Sequence, residues 1–283
     1  MLNICANIQT MKTAYKTLVI SDVHLGIKDS KAKELVRFLK DHTCEKLILN
    51  GDIIDGWQLK KSGSWKKKHT KIFRIILKAM EKRNMKVIYL RGNHDDFLEQ
   101  ILPFEIGNFS IVNDHIHESF GKRYYVIHGD IFDSITTRFP WLSKLGDVSY
   151  TFLLWMNRNY NYYREKRGLP YYSLSQAIKH KVKSAVSFIS DYENQLSEVA
   201  GRKKCDGIIC GHIHQPANKM IGDVHYLNSG DWVESLTALA ETRNGDWKII
   251  YYKDWLAEKE TRKKETVMAE TDIPLKRLIP SFL

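Results

Sequence analysis

Two histidines one residue apart close the stretch "IICGHIHQP" (208–216): His212 and His214 follow an apolar run and a glycine. Side chains two apart on an extended backbone leave from the same face. A strand end here would therefore aim both imidazoles one way. A metal ion that takes nitrogen lone pairs would use such a pair, and two solvated histidines at a strand end would look the same. The choice depends on how the other apolar runs end. "TLVISDVH" ends in Asp22 and His24, "KLILNGD" in Asp52, "KVIYLRGNHD" reaches Asn93, and "RYYVIHGD" reaches His128. With His212 and His214 these give four imidazoles, two carboxylates and one amide. A single zinc takes three or four ligands. Seven donors suit two divalent cations that share a carboxylate and a water. Imidazole mixed with carboxylate favours manganese, iron or zinc over magnesium or calcium. Two such cations make hydroxide available near neutral pH and neutralise phosphoryl oxygens, which is the chemistry of phosphoester hydrolysis.

Those donors need a frame. Short apolar runs read as strands over 17–22, 46–52, 86–95, 123–130, 206–214, 224–231, 235–241 and 246–252. Helical spacing appears over 31–42 and 69–84, the second with Ile72, Ile75, Ile76 and Ala79 on one side. Alternating strands and helices make an α/β domain, and open α/β sheets build their sites at the carboxyl ends of strands. Gly51, Gly92, Gly129 and Gly211 sit beside the donors, where tight turns are needed. Between His128 and His212 runs a long aromatic and basic segment. Residues 133–204 are expected to form a helical, lid-like insertion over the site. Its later part reads as a helix from Ser175 to about Val199, with Gly201 as the stop. Residues 17–255 are the domain, with extensions over 1–16 and 256–283; the last is charged and weakly patterned.

The net charge is +11 over 283 residues, an excess that suits phosphates, nucleic acid or an anionic membrane surface. Hydrophobic content of 43% excludes a disordered chain. Four cysteines without a CxxC pair exclude a disulfide scaffold and a zinc ribbon. No signal peptide or membrane span is expected, so the reading is cytoplasmic with a possible peripheral membrane contact. The run "WKKKHTK" (65–71) reads as a solvated helix start or, alternatively, a phosphate-binding segment.

The ordered set DxH (Asp22, His24), GDxxD (Gly51, Asp52, Asp55), GNHD (Gly92 to Asp95), His128 and GHxH (Gly211, His212, His214) resembles the calcineurin-like metallophosphoesterase superfamily. That resemblance spans most of the chain and implies a four-layer αββα sandwich with a dinuclear centre. It implies that Asp22, His24 and His214 hold one metal, that Asn93, His128 and His212 hold the other, and that Asp52 bridges them. His94 is not a ligand in that pattern; beside Asn93 it could contact the phosphate or protonate the leaving group. Asp95 would orient and charge His94, and Asp55 would act from behind the ligands or stabilise a turn. Within the superfamily the chain looks most similar to the UDP-2,3-diacylglucosamine diphosphatase branch of lipid A synthesis. The length of the insertion and "RFPWL" (138–142) after "HGD" carry that likeness. It implies manganese and attack on a UDP-linked diacylglucosamine, giving UMP and diacylglucosamine 1-phosphate. Better-known members carry Arg where this chain has His94, and a segment other than "GWQLKKSGSWKKK" after GDxxD. Arg158, and Lys179 with Lys183 four apart, are expected to meet the substrate. A nuclease or general phosphodiesterase acting on nucleic acid is the alternative, and a scaffold without catalysis is disfavoured by the intact donor set.

Overall fold

A computed structural model describes residues 13–28, 30–61, 63–130, 162–164, 166–168 and 189–271. Two sheets face each other. The first has seven strands in the order β12-β11-β1-β2-β3-β5-β4. It is built from β1 (Thr13–Ile20), β2 (His42–Asn50), β3 (Lys86–Leu90), β4 (Phe104–Ile106), β5 (Phe109–Val112), β11 (Thr237–Glu241) and β12 (Trp247–Tyr251). The second has five strands in the order β6-β7-β8-β10-β9. They are β6 (Asp114–Ser119), β7 (Lys122–Ile127), β8 (Gly207–Cys210), β9 (Ala217–Ile221) and β10 (Val224–Asn228). β1, β2, β3 and β5 run parallel, as do β7, β8 and β10.

The alternation of side chains along each strand separates three cores. Val19, Ile48 and Ile88 meet Val126, Ile209 and Leu227 between the sheets. Their neighbours Leu18, Ile20, Leu47, Leu49, Val87 and Tyr89 point outward. They are covered by α1 (Ala32–Asp41) and α3 (Lys67–Arg83), which bury Leu35 and Phe38 and Ile72 and Ile76 respectively. Tyr125, Ile127, Ile208 and Tyr226 leave the other sheet outward and meet Tyr192, Leu196 and Ala200 of a helix, α4, over 189–202. The result is the four-layer αββα sandwich expected from the sequence.

Several elements differ from expectation. β4, β5, β6 and β9 are short and half polar ("FEI", "FSIV", "DHIHES", "ANKMI"), too brief for a legible period. α2 (Gly56–Lys61) and a 3₁₀ turn (Asp96–Ile101) also follow donor blocks. α4 does not stop at Gly201. Lys204 takes the left-handed conformation (φ 54°), and Cys205 N–H returns to the Ala200 carbonyl at 3.0 Å. The charged tail is helical as α5 (Tyr252–Thr271), and Trp255 at its start is buried against Phe38. Of the expected insertion, 162–164, 166–168 and 189–204 are described. Arg158, Lys179 and Lys183 lie outside the described residues.

Candidate metal centre

Each donor block follows the carboxyl end of a parallel strand. Asp22 and His24 lie just past β1, Asp52 past β2, Asn93 past β3, His128 past β7, and His212 and His214 past β8. The loops after β1 and β2 are laced together: Asp22 N–H donates to Gly51 O (3.1 Å), and His24 N–H to Asp52 O (2.9 Å). Gly211 N–H donates to His128 O at 3.0 Å, joining the β7 and β8 ends. Two glycines are required by close approach. A Cβ on Gly51 (φ 79°) would lie 2.3 Å from His128 Nδ1, and one on Gly92 would lie 2.2 Å from Asp52 Oδ1.

The backbone of the donors is unusual. Asp22, His24, Asp52, His212 and His214 all have φ between 48° and 68°. Few non-glycine residues adopt this left-handed region, and each instance costs on the order of 1–3 kcal/mol. Five such residues among seven donors mark a site held in shape by its surroundings. It also corrects the starting argument about His212 and His214. β8 ends at Cys210, so the two imidazoles do not share a strand face. They go to different groups: His214 joins Asp22 and His24, while His212 joins Asp52 and His128.

Within each of those two groups the ligand atoms converge within 4.8 Å, as they do in a third, His24, Asp55 and His94. Asp52 connects them: its Oδ2 lies 3.4 Å from His128 Nε2 in one group and 3.8 Å from His24 Nε2 in the other. Asp22 Oδ1 lies 3.3 Å from His214 Nε2. The carboxylates are tied from behind, since Asp52 Oδ1 accepts from His94 N–H (2.8 Å) and Asp22 Oδ2 from His212 N–H (3.1 Å). His128 Nδ1 is 2.8 Å from Asn50 O. Donation there fixes the ring and turns Nε2 towards Asp52.

Burial alone would raise the Asp52 carboxyl, yet His128, followed by His24 and His94, holds it well below the usual carboxylate range. Burial is likewise outweighed at Asp22, which close contact with His214 and the charge of His128 bring down to about 2. Conversely burial would lower His214, but Asp22 raises it to about 9. Buried carboxylates here call for positive charge, and they raise the pKa values of His128 and His214 in response. Divalent cations fit the same demand. Asp22 Oδ1, Asn93 Oδ1 and His128 Nε2 are buried without a hydrogen-bond partner, which is the state of groups shaped to coordinate.

His94 stands beside these groups, its ring 4.6 Å from that of His24 and more exposed than the buried donors. Its orienting carboxylate is not Asp95. Asp95 is fully buried and accepts from Gly92 N–H, from Ile53 N–H (3.0 Å) and from the Tyr89 hydroxyl (2.7 Å). Burial, then the charge of Asp52, raises its pKa. Its work is to staple the β2 and β3 loops. Asp95→Ala should therefore destabilise by about 3 kcal/mol or more, because it strands several buried donors. Chemical denaturation read against Asp95→Asn, which keeps the shape, checks this. Asp55 holds the place given to Asp95: its Oδ2 lies 3.0 Å from His94 Nδ1 and 3.4 Å from His24 Nδ1. Trp57 adds a contact not anticipated, its ring 4.5 Å from that of His94. The signal for it was its place directly after the GDxxD block. The three described cysteines are buried and stand apart from these groups, with burial pushing the Cys44 and Cys210 thiols up to about 12.

The sequence profile of the family described as calcineurin-like phosphoesterase matches residues 15–216. A UDP-2,3-diacylglucosamine hydrolase of Photorhabdus laumondii is 24% identical over 212 residues, 71% of this chain and 82% of that protein. One from Vibrio cholerae is 22% identical over 266 residues, 85% of this chain and 96% of that protein. One from Blochmanniella pennsylvanica is 25% identical over 213 residues, 71% and 79% of the two chains. Among solved structures, an archaeal phosphodiesterase superposes with a TM-score of 0.37 at 14% identity, covering 83% of this chain and 98% of that one. That superposition is too loose to bear on the site.

Proposed function

This chain belongs to the calcineurin-like phosphoesterase family, and from that membership we propose that it is a dinuclear metal-dependent hydrolase of a lipid-linked nucleotide, UDP-2,3-diacylglucosamine or a close analogue. The observation that carries the dinuclear part is Asp52 Oδ2, within 4 Å of imidazoles from both donor groups. In this reading Asp22, His24 and His214 hold one cation, Asn93, His128 and His212 the other, and Asp52 serves both. The ligand set suits manganese, with zinc or iron as substitutes. When bound, the cations acidify a nucleophilic water and neutralise the phosphoryl oxygens.

The remaining steps belong to the chain's own residues. His94 donates its Nε2 proton to the departing oxygen while Asp55, at 3.0 Å from Nδ1, fixes the tautomer and stabilises the imidazolium. Asp55 also reaches His24 Nδ1, so one carboxylate aligns the acid and a ligand together. Trp57 walls off one side of the His94 ring. The products are UMP and diacylglucosamine 1-phosphate.

The lipid part rests on the named activity of the three relatives and on the basic charge of the chain. No helix among the described residues is long and apolar enough to cross a membrane. In this reading the chain meets the cytoplasmic face of a membrane peripherally, through contact with anionic lipid. Turnover of UDP-2,3-diacylglucosamine with manganese, measured beside a UDP-sugar without acyl chains and a generic aryl phosphodiester, tests the substrate. The acylated substrate should lead in kcat/KM by about 10²-fold or more, a margin that about three or four buried CH₂ groups would supply at about 0.8 kcal/mol each. Equal rates without acyl chains would remove the lipid reading and leave a general phosphodiesterase.

A further inference from the structure

From Gly56 to Met80 the chain has eight lysines and arginines and no aspartate or glutamate, within a protein whose net charge is +11. α3 divides this charge by face. His69, Ile72, Ile76 and Ala79 are buried. Lys67, Lys71, Arg74 and Lys78 recur at i, i+4, i+7 and i+11 on the opposite side, all exposed. Among the described residues, lysine and arginine form ion pairs elsewhere, at Arg91, Arg123, Arg202, Lys219, Lys259 and Arg262. The cations of α3 therefore form a stripe without carboxylate partners among the described residues.

Two exposed tryptophans belong to the same stretch, Trp57 on α2 at 49% exposure and Trp65 just before α3 at 45%. Trp65 stacks on Phe73 with ring centres 6.0 Å apart, so it is held in place while one side faces solvent. Indoles settle at the headgroup level of a bilayer, and lysines on long stems meet lipid phosphates beside them. Lysine outnumbers arginine seven to one here. That balance suits diffuse attraction to a charged surface better than the forked recognition for which nucleic-acid interfaces use arginine.

We propose that the exposed face of α2 and α3 docks the protein on an anionic phospholipid bilayer. The docking rests on the lipid-linked reading of the substrate for its purpose, though not for its residues. Trp57 connects the two: its ring packs 4.5 Å from that of His94. A bilayer that takes up Trp57 comes beside His94, where a doubly acylated substrate must present its pyrophosphate while its chains leave the membrane.

Co-sedimentation of the full chain with vesicles, in the absence of substrate, tests the proposal. Vesicles of phosphatidylcholine with about one-third phosphatidylglycerol should bind it, and phosphatidylcholine alone should not. Lys67→Glu/Lys71→Glu/Lys78→Glu should lower partitioning by about 100-fold or more, at roughly fivefold per cation lost. Trp65→Ser, which keeps every charge, should lower it several-fold. Wild-type partitioning by the triple variant would overturn the proposal. So would failure to bind the anionic vesicles while the same lysines bind a DNA duplex or single-stranded RNA. Turnover separates the two readings. A triple variant that hydrolyses UDP-2,3-diacylglucosamine at the wild-type rate in detergent micelles but poorly in vesicles supports docking. A wild-type protein that hydrolyses it and ignores vesicles overturns docking alone. One that binds vesicles through α3 and never hydrolyses it overturns the substrate alone.

Discussion

Asp52→Ala should abolish hydrolysis and empty the metal centre together. The carboxylate is buried, and its Oδ2 lies within 4 Å of an imidazole from each donor group. Loss of one preorganised electrostatic stabiliser costs on the order of 10²–10³ in rate. A residue that serves two cations should cost about 10⁴-fold or more. Elemental analysis should fall from two equivalents of transition metal per chain in the wild type to less than one in the variant. Removing the carboxylate also leaves His128, which is fully buried, without the charge that raises its pKa. Asp52→Asn is the sharper comparison: it keeps the volume and the acceptor for His94 N–H at 2.8 Å while removing the charge. Both variants should be folded and inactive. Full turnover with Asp52→Ala would refute the bridging role.

The donors were legible because each terminates an apolar run, and apolar runs of this kind become adjacent parallel strands. Register did the rest: β1 pairs Thr17 to Ile20 with Lys46 to Leu49, so the loops after both strands begin level. What the sequence hid depends on conformation or on distance along the chain. Left-handed φ values at His212 and His214 cannot be seen in residue types that usually avoid them, so alternation picked out two residues of the site but aimed both at one place, where the structure divides them between two groups. Adjacency misled at Asp95. Its neighbour in sequence is His94, but its carboxylate turns inward to Tyr89 and Ile53. The carboxylate that reaches His94 comes from Asp55, on another loop.

The same division explains a buried pair away from the site. His117 Nε2 lies 3.1 Å from Glu241 Oε2, and Lys46 Nζ lies 3.0 Å from His117 Nδ1. These residues come from β6, β11 and β2, and only the closing of one sheet on the other brings them together. Its surroundings are those of a packing histidine: between the sheets it links Lys46 to Glu241, with both of its ring nitrogens engaged.

Removal of His94 should leave the metals in place and slow only reactions that need a proton at the leaving oxygen. General acid catalysis contributes about 10²–10⁴, so His94→Ala should lower kcat on the pyrophosphate by about 10³-fold. An aryl phosphodiester with an acidic phenol leaves without protonation and should lose far less. The pH profile separates His94 from a merely structural neighbour. Burial alone would lower the His94 pKa, but the hydrogen bond with Asp55, then the charges of Asp52, Asp55 and Asp22, raises it above the ordinary histidine value. The active form is the protonated one, so activity is present below that raised pKa and falls as pH climbs through it. Asp55→Asn withdraws the leading favourable cause, and loss of an adjacent opposite charge moves a pKa by about 1 unit or more. The alkaline limb of kcat should accordingly move down by about 1 pH unit in Asp55→Asn, while metal content stays at two equivalents. An unmoved limb would take the proton away from His94.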